Sequence, residues 1–198
     1  MTRRGRRRVI VGAAIATAIA LSILDHAGFF GYRSDDRVRF DGAACRSVRV
    51  IDGDTLEIDL PDGEIPTTRI RLRGIDAPEI AHDAQSGDAH YGRDAAAYLA
   101  ERVMDRGLTI RLDPNRSTRD KYGRLLAYLH VGDEIASLNE KMIVSGRAYA
   151  DLRFDHVFKT HFVQREAKAE RAKVGLWKDV TPEQYPKWRS RLFANAAK

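Results

Sequence analysis

Residues 69–79 read Arg-Ile-Arg-Leu-Arg-Gly-Ile-Asp-Ala-Pro-Glu, which sets three guanidinium groups within a few positions of two carboxylates. Alternation puts Ile70 and Leu72 on one face of a short strand and Arg69, Arg71 and Arg73 on the other, so the strand is half buried. Gly74 and Pro78 end the ladder, and Asp76 and Glu79 then fall on a turn close to Arg71. Such a set has the parts that phosphate chemistry asks for: guanidinium forks for charge on oxygens, and carboxylates for a cation or a proton. An ordinary amphipathic strand ending in a polar turn has the same pattern, so the rest of the chain must decide.

The positioning elements can be read on either side. Val48, Val50 and Ile51 start a strand, Asp52-Gly53-Asp54-Thr55 interrupts it, and Leu56, Ile58 and Leu60 resume the alternation before a turn at 61–63. Taken alone, Asp52 and Asp54 around a glycine are turn residues. Residues 81–89 are loop-like, and His82 and His90 lack metal-ligand spacing. Ala95, Leu99 and Val103 recur every four positions, which predicts a helix over 91–106 ended by Gly107. Leu108, Ile110 and Leu112 form a fourth strand, and Leu125, Ala127 and Leu129 a fifth after a basic loop at 114–119. Ser137 and Glu140 make a capping box for a helix ending at Gly146, and Phe158, Phe162, Ala169 and Ala172 mark another that stops at Gly175. His156 and His161, five apart, lie on different helix faces and make no metal pair. The tail 178–198, with Pro182, Pro186 and Trp188, reads as a strand-like or irregular segment. Three strands, a helix, two strands and two helices predict an α+β fold: a five-stranded, partly open Greek-key barrel of the OB-fold type with three helices.

Five strings agree in identity, order and spacing with one family. Residues 50–55 (Val-Ile-Asp-Gly-Asp-Thr), 71–79, 91–93 (Tyr-Gly-Arg), 120–128 (Asp-Lys-Tyr-Gly-Arg-Leu-Leu-Ala-Tyr) and 175–177 (Gly-Leu-Trp) resemble the staphylococcal nuclease, or thermonuclease, family over about residues 47–177. The resemblance implies a calcium-dependent nuclease acting on DNA or RNA. Asp54 and Asp76 match the family's calcium carboxylates, and the backbone carbonyl of Ala77 a third ligand. Glu79 matches the general base, Arg71 and Arg124 the pair gripping the scissile phosphate, and Lys121 and Tyr122 substrate-side positions. Oxygen ligands suit calcium, and ligand type alone does not separate it from magnesium. Ala77 stands where a threonine is familiar, and Leu152 where a tyrosine flanks the nucleotide, with Tyr149 and Phe154 nearby. A non-catalytic module of the same fold, binding nucleic acid or protein, is the competing reading. It has no use for Asp54, Asp76 and Glu79, which repel phosphate unless a cation sits among them.

Composition bounds the rest. The 198 residues carry a formal charge of +6 and a pI near 9.6, but Arg3, Arg4, Arg6, Arg7 and Arg8 are five of the 34 basic residues. The other 29 are balanced by 28 acidic ones, so attraction of a polyanion must come from local placement. Those arginines precede an uninterrupted apolar run at 9–24, an N-terminal helix that reads as an uncleaved membrane anchor or a cleaved export signal. In either case the positive-inside rule leaves the domain outside the cytoplasmic membrane. The chain thus divides into a signal or anchor (1–30), a tether (31–46), the nuclease-like domain (47–177) and a C-terminal tail (178–198). Cys45, the single cysteine, reads as buried packing. No protein partner is evident, and a monomer is expected.

Overall fold

The computed structural model describes residues 36–80 and 89–196. In chain order these carry α1 (Asp36–Phe40), β1 (Ala44–Cys45), β2 (Ser47–Val50), β3 (Thr55–Ile58), β4 (Thr68–Leu72) and β5 (Ile75–Asp76). Then follow α2 (Gly92–Val103), β6 (Leu108–Leu112), β7 (Leu125–Val131), α3 (Leu138–Val144), β8 (Tyr149–Ala150) and α4 (Lys159–Arg171). Two 3-10 turns, Gly175–Lys178 and Pro182–Gln184, lead to α5 (Lys187–Ala196). Residues 40–196 form one compact unit. The apolar run at 9–24 and His82 lie outside the described residues, among which no helix is long and apolar enough to cross a membrane.

The five strands expected from alternation are all present, and so are the three helices. The partly open five-stranded barrel is found instead as a mixed sheet that does not close. Six strands pair in the order β1-β6-β7-β4-β3-β2, and β5 and β8 form a separate ribbon. β1 and β2 stand at opposite ends of the sheet although only Arg46 separates them in the chain. The ladder therefore ends where this segment kinks, and a register shift between Ser47 and Arg49 marks the irregularity. Two-residue strands such as β1, β5 and β8 are too short to show a period, which is why the count rises from five to eight.

Alternation sets the core. Leu56 and Ile58 of β3 and Ile70 and Leu72 of β4 are fully buried, each worth ~1.5–3 kcal/mol relative to exposure. Arg69 is exposed and Arg71 half-buried, as the pattern requires. Arg73 departs from it: the chain turns at Gly74, whose φ of 77° suits a residue without Cβ, and Arg73 is buried with its guanidinium bonded to the Ser117 carbonyl. α2 packs Ala95, Leu99 and Val103 inward, and Ser137 caps α3 by accepting from the Glu140 N–H at 3.2 Å. Phe40 and Cys45 belong to the core, so residues expected as tether take part in it; burial pushes the Cys45 thiol up to about 12, consistent with inert packing. His156 precedes α4 instead of lying on it, and is buried with Nδ1 at 2.9 Å from the Tyr128 hydroxyl. The tail is also corrected. Residues 187–196 are helical, fixed by a buried Arg189–Glu166 ion pair at 2.9 Å to α4.

Candidate active site

Strand pairing brings the chemistry together. β4 runs antiparallel to β3, with Thr55 opposite Arg71, and parallel to β7, with Arg71 opposite Leu126. The aspartate before β3 and the arginine two residues before Leu126 thereby flank Arg71. On the remaining side, the ribbon sets Asp76 opposite Tyr149.

Arg71 is the hub. One guanidinium nitrogen pairs with Asp54 Oδ1, and the other lies 2.7 Å from Asp76 Oδ1 and 3.2 Å from the Ile75 carbonyl. Both carboxylates are buried, and each is held by further donors. Asp54 Oδ2 accepts the Ala77 N–H at 2.7 Å, and Asp54 Oδ1 accepts the Thr55 hydroxyl at 3.0 Å. Asp76 Oδ1 also takes Arg153 Nη2 at 2.7 Å, while Oδ2 takes the Trp188 indole N–H at 2.7 Å. Asp52 accepts the Asp54 N–H at 2.9 Å, and burial pushes its carboxyl above the ordinary range against the pull of Arg71.

Arg124 faces this cluster from the 120–124 turn. Its Nε and Nη2 are each 2.7 Å from Asp120 Oδ2, and Nη1 reaches the Thr55 hydroxyl at 3.4 Å. Asp120 Oδ1 also accepts the backbone N–H groups of Tyr122 and Arg124, so this aspartate shapes the turn and aims the fork together. Lys121 and Tyr122 are exposed at its tip, with the Tyr122 ring 5.5 Å from the Arg124 guanidinium carbon.

Glu79 is exposed just beyond the ribbon and lines the same cleft. Its backbone is fixed even so. The Glu79 carbonyl accepts the Ala89 N–H at 2.9 Å and lies against Gly92 so closely that a Cβ there would clash with it. A single cleft of about 930 Å³ is lined by Arg71, Asp76, Glu79, Lys121, Tyr122 and Arg124, together with Asp52 and Thr55. Arg116, Arg119, Arg153 and Phe154 extend it. Phe154 is 63% exposed, whereas Tyr149 is buried against Trp177, which leaves Phe154 and Tyr122 as the aromatic faces open to a base.

The donor set fits a hard divalent cation. Asp54 and Asp76 turn one oxygen each toward a common point, filled by the Arg71 guanidinium, and both are oxygen ligands of the kind calcium takes. No cluster of three side-chain ligands occurs among the described residues, so further ligands would be backbone oxygens or water. Of the residues chosen from sequence, Arg71, Asp76, Glu79, Lys121, Tyr122 and Arg124 line one cleft, whereas Asp54 and Ala77 are buried outside its lining, Asp54 paired with Arg71 and bonded to the Ala77 N–H. Asp120, Arg153 and Trp188 were not among them. Asp120 carried a signal in its four-residue spacing from Arg124; Arg153 and Trp188 reach the site only through tertiary packing.

The staphylococcal nuclease homologue family matches residues 69–179. The thermonuclease of Staphylococcus intermedius is 30% identical over 173 residues, covering 86% of this chain and 98% of that protein. That of Staphylococcus hyicus is 28% identical over 170 residues, 85% and 94% of the two chains. An uncharacterized endonuclease of Escherichia coli is 33% identical over 146 residues, 74% and 84%.

Proposed function

Because the chain belongs to the staphylococcal nuclease family, its fold carrying a nuclease-type cleft, we propose that it is a calcium-dependent phosphodiesterase that hydrolyses DNA or RNA. The observation that carries this reading is the convergence of Asp76, Arg71, Arg124 and Glu79 on one cleft, with the buried Asp54 paired to Arg71. Two guanidinium groups and two buried carboxylates have opposite demands, and a phosphate with a divalent cation meets both.

Asp54, Asp76 and the backbone of Ala77 would hold the calcium ion, which when bound supplies positive charge to a phosphate oxygen. Arg71 then exchanges its carboxylate partners for the phosphate, and Arg124, already oriented by Asp120, donates to the same group from the turn before the neighbouring strand. Charge gathering on the phosphate oxygens is thereby matched by donors fixed before substrate arrives. Glu79 accepts a proton from water as its oxygen bonds to phosphorus, and the bond from phosphorus to the leaving sugar oxygen breaks. Lys121 and Tyr122 lie where the strand would pass, with Phe154 offering a face for base stacking worth ~1–3 kcal/mol.

The arginine-led apolar run at 9–24 supports placement outside the cytoplasmic membrane, anchored or released. The test of the activity is cleavage of single-stranded DNA by the full chain with calcium, with magnesium and with chelator. Chelation is expected to abolish cutting and calcium to restore it; full activity in chelator would overturn the metal role of Asp54 and Asp76.

A further inference from the structure

Asp76 is served by a part of the chain that lies outside the family match, which ends at residue 179. The Trp188 indole N–H donates to Asp76 Oδ2 at 2.7 Å, from the first turn of α5. Its neighbour Arg189 is buried, bonded to Glu166 Oε1 at 2.9 Å and stacked within 5.1–5.4 Å of the rings of Tyr149, Trp177 and Tyr185. That anchor fixes where α5 begins, and hence where the indole stands. Arg153 adds a second tie: its guanidinium lies 5.1 Å from the Trp188 ring and bridges Asp76 Oδ1 and Asp151 Oδ2 at 2.7 and 2.8 Å.

The two Asp76 oxygens are therefore unlike. Among the described residues Oδ1 meets the cationic groups of Arg71 and Arg153, which a metal ion would replace in kind. Oδ2 faces a neutral donor that has no such competition with a metal. A neutral N–H on one carboxylate oxygen fixes the rotation of the group and leaves the other oxygen turned to the cation.

We propose that Trp188 is a positioning residue of the metal site, holding Asp76 so that Oδ1 alone is presented beside Asp54, and that α5 is in this sense a component of the site. The proposal rests on the metal role given to Asp76 above.

Trp188→Phe removes the donor and keeps a ring beneath Arg153. Calcium binding is measured by calorimetry on the full-length protein and the variant without substrate, with unfolding in chelator as a check of folding. The variant is expected to bind calcium 10- to 100-fold more weakly, the usual cost of losing such an outer partner. A folded variant with unchanged affinity would overturn the role of Trp188 and leave the nuclease reading standing. No calcium uptake by the wild-type chain would overturn both. As a second measurement on the unaltered protein, the Trp188 indole N–H resonance is expected to shift on calcium addition. A resonance that stays in place through saturation would also overturn the proposal.

Discussion

Arg124 shows how much of this site depends on shape as well as charge. Its fork is held by two contacts to one Asp120 oxygen, and it reaches across to Thr55, which in turn donates to Asp54. A lysine would keep the charge and lose the planar pair of donors. Arg124→Lys is therefore expected to lower turnover ~100-fold or more with a smaller change in KM, measured on single-stranded DNA with calcium. Near-normal turnover would mean that the residue only attracts substrate. The same side chains were readable in the sequence because their types are rare in combination: two aspartates, a glutamate and two arginines in fixed order. Trp188 and Arg153 were not readable, since an indole in a tail and an arginine in a loop carry no local sign of the carboxylate they meet. Which of the nearby aromatic residues is exposed also needed the structure, which buries Tyr149 and exposes Phe154.

The elements were legible where a period could be seen. β4 and β6 follow strict alternation, β3 and β7 break it only at the buried Thr55 and Tyr128, and α2 keeps its four-residue spacing. β1, β5 and β8 are two residues each and exist only through their partners, so no pattern announces them. α5 was hidden behind Pro182 and Pro186, whose local signal is a break, and its helix is held by the buried Arg189–Glu166 pair. The segment before α4 carries a testable consequence of packing. Burial and the nearby Arg73 charge push His156 down to about 4, against about 6.5 in an unfolded chain. The neutral ring is thus favoured by folding: its contribution is fully present above pH 6.5 and is lost as pH falls through about 4. The loss reaches ~3 kcal/mol. Denaturant unfolding at pH 7 and pH 4 is expected to show a fall in stability that is smaller by about this amount in His156→Gln. Equal falls would mean that His156 does not titrate with folding.

At the scale of the whole molecule, charge does little in sum and much in place. Beyond the five N-terminal arginines the chain is almost neutral, yet Arg69, Arg71, Arg116, Arg119, Lys121, Arg124 and Arg153 share one cleft. Asp76, Asp120 and Asp151 within it, and the buried Asp54 beside Arg71, already hold several of these cations, so the resting cleft is paired and pre-aimed rather than openly basic. Glu79 is exposed at the same cleft, and its backbone is fixed against Gly92. As the proposed base of a metal-dependent cleavage, this glutamate can be tested alone. Its most direct test is the initial rate of single-stranded DNA cleavage by the full chain and by Glu79→Gln at saturating calcium, with calcium affinity measured on both. The variant is expected to bind calcium still and to cut on the order of 10² to 10⁴ times more slowly; a loss of less than tenfold would contradict the role of Glu79 as the base.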